Sequence, residues 1–215
     1  MNQSRRVSIL VALVAVTLVA CSTTVNAPIE VADGETRQGN LSTVNGSVTV
    51  GEDCTVSGKC QSVNGDLEVG DRSRVGALSA VNGSIRIGEE VVVDNDVESV
   101  NGPISVGAAS KVAGEIKTIN GPIELTQAVV ERTVRTLFGD IELRDKSVVK
   151  GDIVVDSKLG TSSRTKTVKI EISGESVVEG SVIVESKKIE VQVILRDGGK
   201  VLGTIENAEV IEEDS

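Results

Sequence analysis

"SVNGDLEVG" (62–70) recurs with small changes along the chain: "STVNGSVTVG" (42–51), "SAVNGSIRIG" (79–88) and "SVNGPISVG" (99–107). The Asn-Gly pairs begin at Asn45, Asn64, Asn82, Asn101 and Asn120, at spacings of 19, 18, 19 and 19 residues. A fixed period of this kind means stacked structural units. Counting from the second aliphatic after each pair gives Val50, Val69, Ile87, Val106 and Leu125. Leu143 continues the series where Phe138-Gly139 replaces Asn-Gly, and "VNAPIEV" (25–31) extends it back to Asn26 and Val31. A second landmark follows six residues after most anchors, at Val56, Val75, Val93, Val112 and Val149. A third lies near Cys60, Leu78, Val97, Ile116, Val134 and Ile153. Beyond residue 155 the same spacing survives at Ile172/Val178 and Leu195/Val201, for nine anchors in all.

Within each unit, apolar and polar residues alternate, as in "DLEV" and "SIRI". Alternation denotes short strands with one buried face. No single unit can bury that face, so the units must stack with equivalent residues paired. The expected fold is all-β: a single-stranded parallel β-helix of about nine coils of 18–19 residues, three short faces per coil, with a longer irregular C-terminal part. Right-handed winding is the expectation for the class, although the spacing carries no handedness. At roughly 4.8 Å between paired strands the rod is on the order of 40 Å long. A β-sandwich is the rival architecture, but its strands need no identical register.

Asn-Gly suits a corner with positive φ. Asparagines repeated at one corner can hydrogen-bond along the stack, so Asn26, Asn45, Asn64, Asn82, Asn101 and Asn120 read as a structural ladder. A polar binding stripe is the functional alternative. The three prolines, Pro28, Pro103 and Pro122, all stand two residues after a corner asparagine. Proline has no N–H, so that slot must not need one in the sheet.

The N-terminus has a different character. Arg5 and Arg6 precede an apolar run over residues 7–19 that ends in Leu18-Val19-Ala20-Cys21. A charged segment and a short apolar core form an export signal. The closing tetrapeptide resembles the lipobox of bacterial lipoproteins. That resemblance implies removal of residues 1–20, lipid on Cys21, and a short tether over 21–25. With Ser22 following Cys21, it also implies sorting to the outer membrane. A tether of residues 22–25 holds the rod within about 13 Å of the lipid.

Removing residues 1–20 leaves 20 basic and 32 acidic residues, a charge of −12. This disfavours nucleic acid and anionic lipid as partners. The chain has no His, Trp or Tyr and one aromatic residue, Phe138. That excludes a histidine triad, a histidine metal site and a base-stacking platform.

No catalytic, cofactor-binding or metal residues are assigned, and lipidation at Cys21 is the one site expected. Cys54 and Cys60 read either as a disulfide or as small core fillers. An outward column runs through Glu30, Thr49, Glu68, Arg86, Ser105, Glu124, Glu142 and Glu171. Stacked at strand spacing, its last three glutamates could recruit a divalent cation such as calcium or form a solvated acidic face. "DSKLGTSSRTKT" (156–167) is polar and basic in an acidic chain and reads as a loop leaving the rod, either a partner site or a tolerated insertion. The regular coils then span 26–155, with further coils and an acidic tail over 168–215.

The "GxIxVG" and "VxGxI" patterns over 26–155 resemble those of bactofilins, the polymer-forming cytoskeletal β-helices, and of the putative-adhesin β-helices of bacterial envelopes. The first resemblance implies end-to-end filaments without nucleotide, the second a surface for adhesion. Arg37 in a landmark position and the terminal "IEEDS" place charge at the two ends, which opposes stacking. Three functions follow as expectations. The first is a non-enzymatic envelope lipoprotein acting as scaffold or interaction surface, with an envelope protein or polysaccharide as partner. The second is a self-assembling structural protein, and the third a carbohydrate-active β-helix enzyme.

Overall fold

The computed structural model describes residues 17–19, 22–156, 167–186 and 188–213. Among them every regular element is a strand and every strand pairing is parallel. One turn shows the design. Val92–Val93 lies on the first face, Val97–Ser99 on the second and Ile104–Val106 on the third, and Lys111–Val112 begins the next turn above Val92–Val93. The third face is a sheet of ten strands; the other two form a second sheet. This is a β-solenoid of about nine turns, as the period predicts.

Register follows the anchors. Val31 pairs with Val50, Val50 with Val69, Val69 with Ile87, and Ile87 with Val106. The companion column Ile85, Ile104, Ile123, Ile141 and Ile170 stacks in the same way. These side chains form one core along the axis, and Ile85, Ile104, Ile116, Ile123 and Ile153 are fully buried. Leu78, one residue early in the sequence, still pairs with Cys60 and Val97, because a bulge between Val56 and Lys59 absorbs the offset.

Three features depart from the sequence reading. Positive φ occurs at a different corner, the one after the third face: Asp53, Arg72, Glu90, Ala109 and Gln127 have φ between 48 and 56°. The Asn-Gly glycines are required for close approach instead. A Cβ on Gly102 would lie 1.9 Å from the Gly83 carbonyl oxygen one turn below. Pairing also begins early. Thr17–Val19 pairs with Thr36–Gln38, and Ser22–Thr24 with Leu41–Thr43, so most of the supposed tether lies along the rod. Finally, Glu209–Glu213 adds a tenth strand to the third face beyond the nine anchors, with Val193 beside Val210 and Leu195 beside Glu212.

The chain leaves the second face at Ile153–Val155 and rejoins the third at Thr167–Ile172. The long insertion therefore leaves from the same corner as the asparagines. Residues 157–166 of the expected loop, like Cys21, lie outside the described residues.

Candidate functional site

The corner between the second and third faces is the most specialised part of the surface. Its five Asn-Gly pairs and Asn26 stand in register, and each side-chain amide donates to the asparagine one turn earlier. Asn45 donates to Asn26, Asn64 to Asn45 and Asn120 to Asn101, each at 2.8 Å. Asn82 donates to Asn64 and Asn101 to Asn82, each at 2.9 Å. The expected structural ladder is present, and along it the amides are engaged with one another. Removing an internal rung with Asn64→Ala leaves the amide of Asn82 and the carbonyl of Asn45 without those partners. We expect a loss of about 1–2 kcal/mol in urea unfolding, with no change in the circular dichroism spectrum.

Behind the asparagines runs a column of inward hydroxyls: Thr43, Ser62, Ser99, Thr118 and Thr136, all buried. Thr43 donates to the Ala27 carbonyl at 3.0 Å and Ser62 to that of Gly46 at 2.8 Å. Higher up, Ser99, Thr118 and Thr136 accept from the N–H groups of Gly102, Gly121 and Gly139, and Thr136 also donates to the Gly139 carbonyl at 3.0 Å. Four of these hydroxyls stand two residues before a corner asparagine and Thr136 two before Phe138, a spacing that strand alternation alone passes over. The dry interior makes these bonds necessary, since a buried polar group without a partner is costly.

The proline slot has the same logic. The Ser84 N–H, in that slot, bonds the Asp66 carboxylate at 2.8 Å rather than a ladder carbonyl. That N–H holds the Asp66 carboxyl below its usual range. Lys169 N–H likewise bonds Asp140 at 2.9 Å. Pro103 stands above Ser84 and Pro122 above Pro103, where no carboxylate waits below. Proline there forfeits nothing.

The glutamate column is as expected in register: Glu124 pairs with Glu142, and Glu142 with Glu171. Arginines face it. Arg144 Nε donates to Glu142 and Arg196 Nη2 to Glu171. Glu142 raises the pKa of Arg144, with Glu124 and Glu171 adding to the effect. Among the described residues no group of three or more His, Cys, Asp or Glu is placed to hold a metal ion. A shallow groove of about 480 Å³ on the first face has Val129 and Val148 on its floor and Lys111, Glu131, Lys150 and Glu179 around it. Glu131 joins Lys111 at 2.7 Å and Lys150 at 2.9 Å, so these charges satisfy one another.

Cys54 and Cys60 are free, buried thiols on different columns. Cys60 occupies the aliphatic column between Leu41 and Leu78, and burial pushes its thiol up to about 12. Cys54 stands in a serine position, since Ser73 and Ser110 follow it at that corner. Its Sγ donates to the Ala32 carbonyl at 3.0 Å, just as Ser73 Oγ donates to Gly51 at 2.8 Å. Of the two readings, small core fillers is the one that matches.

Fold and surface define a parallel β-solenoid whose corner chemistry is directed at its own turns. No family model, curated protein or solved structure matches the chain.

Proposed function

We propose that the protein is a non-enzymatic cell-envelope lipoprotein, a rigid β-helical scaffold or adhesion surface held at the bacterial outer membrane by lipid on Cys21. The observation that supports this reading most is the structural use of the polar corner. The residues that looked most like a binding stripe, the stacked asparagines, hydrogen-bond each other and stiffen a rod. A rod of this kind can hold a partner, protein or polysaccharide, at a fixed distance from a membrane. The sequence Leu18-Val19-Ala20-Cys21 supplies the anchor in this reading. Cleavage before Cys21 would remove Thr17–Val19 and free the outer edge of Thr36–Gln38, while Ser22–Thr24 stays with the rod.

The test is metabolic labelling with a fatty acid in a bacterial host, followed by fractionation. We expect label and membrane association for the native chain. Cys21→Ser should lose the label completely and abolish processing. An unlabelled native chain in the soluble fraction would overturn the reading.

A second reading, end-to-end self-assembly like that of bactofilins, is favoured by the C-terminal rung. Val210 occupies a core position on the last rung yet is 44% exposed. Glu212 in the neighbouring core position weighs against it. Concentration-dependent polymers of the native chain on size-exclusion chromatography would support assembly, and a single species of monomer size would reject it.

A further inference from the structure

We propose that Asn82 is a built-in chemical modification site: in the folded rod, Asn82-Gly83 closes to a succinimide and becomes isoaspartate or aspartate before any other Asn-Gly pair. The reaction needs only water. The Gly83 nitrogen loses its proton to solvent base and bonds to Cγ of Asn82. The bond from Cγ to the amide nitrogen breaks and ammonia leaves. Water then opens the ring at either carbonyl.

All five Asn-Gly pairs have the reactive sequence, and all five asparagines donate within the ladder, so neither feature distinguishes them. The hydroxyl column does. Gly102 and Gly121 have their N–H groups tied to Ser99 at 3.2 Å and Thr118 at 3.1 Å. Lower down, Thr43 and Ser62 tie the carbonyls of Ala27 and Gly46, the backbone directly beneath Gly46 and Gly65. At the Asn82 corner the equivalent residue is Ala80, which is buried and has no hydroxyl. Neither the Gly83 N–H nor the Gly65 carbonyl beneath it can be tied in this way. The rung is also the first with an 18-residue spacing between asparagines. Asn82 itself is exposed, so water reaches the amide. Among the five pairs, this corner alone has no column hydroxyl on either the glycine N–H or the carbonyl beneath it.

Modification there is directional. The product can still accept from Asn101, but it no longer donates to Asn64. An isoaspartate also adds a backbone atom where successive turns touch backbone to backbone. The inference stands apart from the lipoprotein reading.

The experiment holds the full chain, folded, in mildly alkaline buffer. Proteolysis and mass spectrometry then quantify aspartate and isoaspartate at each pair, with a urea-unfolded sample as reference. We expect the five pairs to react at similar rates unfolded, and Asn82 to react several-fold faster than the other four when folded. Ala80→Ser should slow Asn82 to the rate of Asn101. Ser99→Ala should raise Asn101 toward the native rate of Asn82, which keeps the test decisive if Ala80→Ser does not fold. Equal rates in the folded chain, another asparagine reacting first, or a folded Ala80→Ser or Ser99→Ala with native rates would each overturn the proposal.

Discussion

Gly102→Ala is expected to lower the stability of the rod by about 3 kcal/mol and to shift its urea midpoint well below that of the native chain. The added methyl carbon would stand 1.9 Å from the Gly83 oxygen and 2.5 Å from its carbonyl carbon. Both atoms belong to the backbone of a paired turn, so neither can rotate away as a flexible side chain would. Relief requires the turns to separate, and separation breaks the pairing of Ile85 with Ile104 and stretches the Asn82–Asn101 bond. Gly34→Ala is the informative control. Gly34 has φ +70° and nothing within 4 Å of its virtual Cβ, so its cost is conformational alone, about 1 kcal/mol. If Gly102→Ala costs no more than Gly34→Ala, close backbone stacking does not account for the glycine column.

Ile104→Ala should cost about 4 kcal/mol in the same measurement. Ile104 is fully buried midway along the rod, with Ile85 on one side and Ile123 on the other. Truncation leaves a cavity whose walls are held by paired strands, so collapse cannot close it. The equivalent change near the C-terminal end, Ile205→Ala, should cost about 1 kcal/mol, because Ile205 is only partly buried in the last turn. In a quasi-one-dimensional fold each turn depends on its neighbours alone. A central lesion should therefore also broaden the transition. Equal losses at the two positions would mean that the core is not a continuous column.

The repeat made most of this architecture legible. Val50, Val69 and Ile87 are consecutive rungs because a solenoid with one buried side per face has no other way to satisfy the alternation. The three prolines identified a slot outside the ladder, and the Asp66–Ser84 bond shows what fills it where an N–H is present. The asparagine ladder was readable because only a stack brings residues 19 apart within hydrogen-bond reach. The glycines were harder. Asn-Gly normally signals positive φ, whereas here steric contact with the turn below selects glycine, and contact between distant residues has no local signature. Positive φ falls on Arg72 and Ala109, residues that do not announce it. Glu209–Glu213 escaped notice because three glutamates mask the apolar pair Val210 and Ile211. A site was barely legible, because the corner side chains that could bind something else bind the next turn.

The ladder has a further consequence, because all its hydrogen bonds run the same way. Asn26 only accepts within it and Asn120 only donates. Backbone carbonyls within each strand point alternately up and down the axis and largely cancel along it, but these side-chain amides point alike over six turns and polarise one another. The rod is therefore electrically polar along its length independently of its net charge, and two such rods side by side have an intrinsic reason to align head to tail.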